Sequence, residues 1–274
     1  MGFGMRNYLP DLFVAFRILI RARFLAFSAL LIVIMCLASG LASFFSGRQP
    51  ATVALDVGLS VVRMLLPLIL VLMTQELISR EIERRYYLES LSYPRSRHVF
   101  LFGRFVGIFV FVFFLLFLAA GVLALLVGFV RHGYSQATAV ALDFRYLVTI
   151  FFIGVDLFVI ASVTFLLAVF ASAPSFVLFG ALGFMLIARS YAAVIELLAG
   201  GQFLVGGAEG YRAGLGLLVY VFPDLGALDV RAISLYSLSK DFPSDWFALI
   251  VSNVFYAFFM LTLAVIVLRH KRFI

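Results

Sequence analysis

Long uninterrupted apolar runs, each about as long as a bilayer is thick, leave this chain few ways to fold. An α-helix rises about 1.5 Å per residue and a hydrocarbon core is about 30 Å thick, so a crossing takes about 20 residues. Six stretches reach that length, near Phe24–Phe45, Val53–Met73, Phe105–Val130, Tyr146–Phe170, Phe176–Leu197 and Trp246–Leu268. The runs are continuous, whereas membrane barrel strands alternate, so the crossings are read as helices. Composition agrees: 65% of the 274 residues are hydrophobic and 13% charged, against about 45–50% and 25% in a soluble domain. A water-soluble globule would have too few polar side chains to cover itself. Cys36 is the single cysteine, which excludes a disulfide scaffold, and the apolar content excludes disorder. The expected fold is an all-α integral membrane protein, one transmembrane domain over residues 1–274.

Basic residues set the expected orientation. The net charge is +7 and Lys240 and Lys271 are the only lysines. The arginines flank apolar spans, which favours a membrane over nucleic acid as the anionic partner. With both termini in the cytoplasm, segments 1–23, 74–104, 171–175 and 269–274 lie inside and carry 13 of the 21 basic residues. Six lie in outer segments, and Arg63 and Arg189 fall within spans. The first span is too long for a signal-peptide core and is read as a retained anchor.

Three segments outside the spans have a character of their own. In residues 8–23, Leu9, Leu12, Phe13, Phe16, Leu19 and Ile20 share one helical face, with Asp11, Arg17 and Arg21 away from it. This predicts an amphipathic interfacial helix at the cytoplasmic headgroups. Residues 74–98 form a charged cytoplasmic helix in which Glu76/Arg80 and Glu81/Arg85 are spaced i,i+4, ended by Pro94. Residues 198–245 form the largest outer segment. Its apolar run Leu215–Phe222 is too short to span and is read as a re-entrant or interfacial helix. In a second topology, part of 211–230 enters deeply.

Four ionisable residues fall within spans: Arg63, Asp156, Arg189 and Glu196. Each costs on the order of 2–4 kcal/mol if unpaired. Arg63 and Asp156 lie about ten residues from the outer ends of their spans, at a common depth of about 15 Å, which predicts an ion pair. Arg189 and Glu196 are seven apart and share a face. These charges either fix helix packing or line a polar translocation path. No catalytic or metal-binding constellation is recognisable: His98, His132 and His270 stand alone near span ends, and Cys36 reads as core filler. An intramembrane lipid-modifying enzyme would need an acid/base or metal cluster that the sequence does not offer. A nucleotide-binding Gly-rich loop is likewise missing.

The stretch Ser79–Arg97, SREIERRYYLESLSYPRSR, followed by Phe102-Gly103-Arg104, resembles the type-2 permease family of ABC transporters. Glu81, Pro94, Arg97, Gly103 and Arg104 match that family's charged helix, its Pro and basic pair, and the Gly-basic opening of span three. Tyr86 stands where the family commonly has Thr. Val221-Phe-Pro-Asp-Leu-Gly-Ala-Leu-Asp-Val-Arg231 and the tail Arg269-His-Lys-Arg272-Phe are similar to permeases of the nitrous-oxide-reductase maturation type. The six-span layout and the N-terminal helix extend the likeness over the whole chain.

The resemblance implies a permease subunit of an ATP-driven exporter or flippase in a bacterial inner membrane. It implies a homodimer forming the path and two copies of a separate ATPase, which carries ATP and magnesium; this chain itself holds no cofactor. The coupling residues would be Glu76, Arg80, Glu81, Arg84, Arg85, Glu89, Pro94 and Arg97, with Arg63, Asp156, Arg189 and Glu196 as the intramembrane polar set. The alternative is an ion-coupled carrier or channel acting without an ATPase, against which the absence of an inverted repeat speaks. Cargo is not legible.

Overall fold

The computed structural model describes residues 24–79, 97–133, 140–171, 173–200, 222–236 and 245–270, with main chain alone at 79, 97–100, 132–133 and 191–200. The N-terminal interfacial helix, residues 80–96 of the charged segment, most of Leu215–Phe222 and the tail from 271 lie outside these.

The described chain is all-helical, with no strand. In order come α1 (Phe24–Phe45), α2 (Pro50–Thr74), a π-helical turn (Gln75–Ser79), α3 (Arg97–Gly133), α4 (Phe144–Phe170), α5 (Pro174–Gly200), the short α6 (Arg231–Tyr236) and α7 (Trp246–His270). Helix starts follow local chemistry. Pro50 sits in the first turn of α2, where its missing N–H costs nothing. The Asp143 carboxylate caps α4 by accepting from the Arg145 N–H at 3.1 Å. Pro174 opens α5.

Among the described residues five helices are long and apolar enough to cross a membrane: α1, α2, α3, α4 and α7. The expected sixth span, Phe176–Leu197, lies within the helix α5, whose side chains are described as far as Ser190. The connection between spans two and three is tighter than expected. Helix α2 runs on through Gln75–Ser79, and α3 starts at Arg97 rather than near Phe105.

Helix α4 is the hub. From Phe152 to Leu157 every residue is buried, as are Val159–Phe165, so neighbours surround it on all sides. Helices α1 and α7 are peripheral, exposing Leu37, Leu41, Phe255, Phe258 and Phe259. Lipid tails are as apolar as these side chains, so association rests on close packing. Gly58 of α2 shows this: a Cβ there would overlap the Leu123 side chain of α3 and sit 2.8 Å from the Ser39 Oγ of α1. In α4, Gly154 leaves room for the Phe113 ring, whose Cζ would lie 2.9 Å from an added Cβ.

Candidate functional site

Pro67 lies one turn beyond Arg63 in α2. Having no N–H, it gives nothing to the Arg63 carbonyl four residues back. The Arg63 side chain, 10% exposed, meets three partners. It donates from Nη2 to the Leu225 carbonyl at 2.8 Å, forms an ion pair with Asp229, and stands with Nε 3.6 Å from Asp156 Oδ2. The expected Arg63–Asp156 pair is therefore present as an ion pair, too long for a hydrogen bond.

The Asp156 carboxylate, fully buried in α4, is held more closely by Arg189 of α5, whose Nη2 lies 2.5 Å from the same Oδ2. At the other end, Arg231 grips Asp229 with two bonds, Nε to Oδ1 at 2.7 Å and Nη2 to Oδ2 at 2.9 Å. Its Nη1 reaches Asp56 Oδ1 at 3.1 Å and Ser60 Oγ on α2. The result is a continuous ladder, Asp56–Arg231–Asp229–Arg63–Asp156–Arg189. Three carboxylates and three guanidiniums alternate, so the ladder has no net charge. Buried charges are tolerated on that condition, since an unpaired ion at membrane depth is costly.

The ladder binds the stretch 222–231 into the bundle. Arg63 lies 13 residues into α2, about 20 Å along the helix at 1.5 Å per residue. The loop that meets it there is irregular backbone, which membrane proteins admit only inside protein or beside a cavity. Its polar groups are answered: Leu225 N–H donates to the Ala188 carbonyl at 3.1 Å, Asp229 N–H to Gly226 at 2.9 Å, and Ala227 N–H to Asp224 Oδ1 at 3.0 Å. Leu225, Leu228 and Val230 are buried. Gly226 allows the approach, because a Cβ there would meet the Arg189 carbonyl oxygen at 2.8 Å. Residues 222–231 therefore pack against α2 at the level of Arg63.

Outside the spans, burial pushes the Asp229 carboxyl up, but the hydrogen bonds from Arg231 and the charges of Arg63 and Arg231 outweigh it and hold the group below the usual carboxylate range. Burial pulls Arg231 down, while its hydrogen bonds to Asp229 and the nearby carboxylates hold it net above its ordinary value.

Arg63 and Asp156 thus come together as the sequence predicts, and Arg189, for which no pairing with Asp156 was predicted, joins them. Glu196 is in α5, with its side chain outside the described residues. Glu76 is half-buried in the π turn and Arg97 begins α3; Arg80, Glu81, Arg84, Arg85, Glu89 and Pro94 fall outside the described residues. Asp56, Ser60, Asp229 and Arg231 were not anticipated as members. A signal existed in α2: Asp56, Ser60 and Arg63 are spaced i, i+4, i+7 and share one helix face. Comparison with known protein families and with curated proteins found no match to this chain.

Proposed function

We propose that this chain is the permease subunit of an ATP-driven ABC exporter or flippase. It crosses a bacterial inner membrane six times with both termini inside, and it forms a homodimer that binds two ATPase copies. The observation that carries this reading is the charged segment spliced between α2 and α3. Its sequence resembles the ATPase-docking helix of type-2 permeases, and helical backbone flanks it on both sides, Gln75–Ser79 before it and Arg97 onward after it. A push on residues 80–96 would therefore pass into two long helices with little slack. Helix α2 carries Arg63 and Asp56, so the same push would reach the charge ladder. Pi turns recur at functional sites in helices, which suits the start of a lever.

The test is affinity purification of the tagged chain from its native membrane, followed by ATP hydrolysis in proteoliposomes. Co-purification of an ATPase, with hydrolysis uncoupled from the permease by Glu81→Arg with Arg85→Glu, is the expected result. Unchanged hydrolysis after deletion of residues 81–93 would overturn it.

The ionisable residues of α2, α4 and α5 favour a second reading, an ion-coupled carrier. Solute movement by the purified chain alone, without nucleotide, would select that reading instead.

A further inference from the structure

We propose that residues 222–231 are a detachable latch: Arg63 holds the latch closed by bonding Asp229 and the Leu225 carbonyl, and releases it by swinging onto the vacant oxygen of Asp156. The device goes beyond the transport reading and operates whatever drives it.

Three observations converge. First, Asp156 is unevenly used. Both of its arginines meet Oδ2, at 3.6 Å and 2.5 Å, while Oδ1 is buried with no hydrogen-bond partner among the described residues. A buried carboxylate oxygen without a donor is costly, and this one belongs to the carboxylate whose other oxygen stands 3.6 Å from Arg63 Nε.

Second, the charges divide without remainder. If the stretch 222–231 leaves, Asp229 and Arg231 leave together, already joined by two parallel bonds. The bundle keeps Asp56, Arg63, Asp156 and Arg189, two of each sign. Neither body is left with a net charge, which lowers the cost of separation below that of stripping a single partner from a buried ion pair.

Third, the latch is fastened by few bonds. Among the described residues, those from the loop to the helix bundle are the Leu225 carbonyl to Arg63, Leu225 N–H to Ala188, Asp229 to Arg63, and Arg231 to Asp56 and Ser60. Other loop bonds, among them Ala227 to Asp224, Asp229 to Gly226 and Val230 to Leu228, lie within it and travel with it. Two packings of one arginine, each satisfied, make a two-state element.

Amide hydrogen exchange on the full chain in nanodiscs tests this. In Asp229→Asn, exchange across residues 222–231 should rise about tenfold, the scale of one lost charge-assisted hydrogen bond. Exchange across residues 150–160 should stay at the wild-type rate, because Arg63 settles on Asp156. A rise in both regions overturns the proposal, since an Arg63 with no second seat would destabilise α4 as well. So does no rise in either. The charge-balanced pair Asp156→Leu with Arg189→Met removes the second seat. Exchange across 222–231 should then fall below wild type; an increase would mean that Asp156 merely braces the closed state.

Discussion

The Arg63 guanidinium donates to the main-chain oxygen of Leu225, 162 residues away in sequence, at 2.8 Å. One side chain from the second helix thereby fixes the depth of a loop that precedes the last one. Its ion pair to Asp156 is the longer contact, at 3.6 Å, so Arg63 belongs to the loop at least as much as to the bundle.

Exchanging charges at Arg63 and Asp156 should therefore not restore what either single change loses. An arginine at 156 would face Arg189, and an aspartate at 63 would face Asp229 and a carbonyl oxygen. Arg63→Leu alone should cost about 3–5 kcal/mol, as removal of one member of a buried ion pair does. Thermal unfolding in detergent of the single and double variants checks both statements; recovery to wild-type stability by the swap would contradict the ladder.

Acid should loosen the loop through Asp229. Its folded pKa lies below the ordinary 3.8, so the carboxylate favours the native state fully above that value. The contribution fades as pH falls from there through the lower folded pKa. Asp229→Asn should flatten this acid limb. Stability measured from neutral pH down to about 3 tests the sign.

Gly226→Ala should undock the loop without touching any charge. The added Cβ would lie 2.8 Å from the Arg189 main-chain oxygen, and a helix backbone cannot yield as a side-chain tip can. A cost of about 1–3 kcal/mol is expected, read as faster amide exchange across 222–231 with α1 and α7 unaffected.

Gly58 tests packing away from the ladder. An added Cβ would meet the Leu123 terminus and the Ser39 hydroxyl, both of which can rotate, so Gly58→Ala should cost about 1 kcal/mol and Gly58→Ile about 3 kcal/mol. Equal stability of the two variants would mean that α1, α2 and α3 are not in close contact there.

Much of the site was legible because burial in a membrane makes charges conspicuous. Arg63, Asp156 and Arg189 stand out among apolar neighbours, and equal depth already pairs the first two. Asp229 and Arg231 do not stand out, since they lie in a polar stretch where charges are ordinary. Nothing local indicates that this stretch descends to the level of Arg63. Gly226 is equally silent, one glycine among 21, until the Arg189 carbonyl is seen against it.

Long apolar runs by themselves determine that this chain is helical, that it has the character of a membrane protein, and roughly where each helix begins and ends. Hydrogen bonding in an apolar medium is satisfied within a helix, so those properties need only local sequence. Which carboxylate each arginine holds, how deep residues 222–231 reach, and that α4 is the hub were decided by tertiary structure alone. Those depend on contacts between segments distant in sequence, from 33 residues for Asp156 and Arg189 to 175 for Asp56 and Arg231, where charge complementarity permits several pairings and close packing selects one.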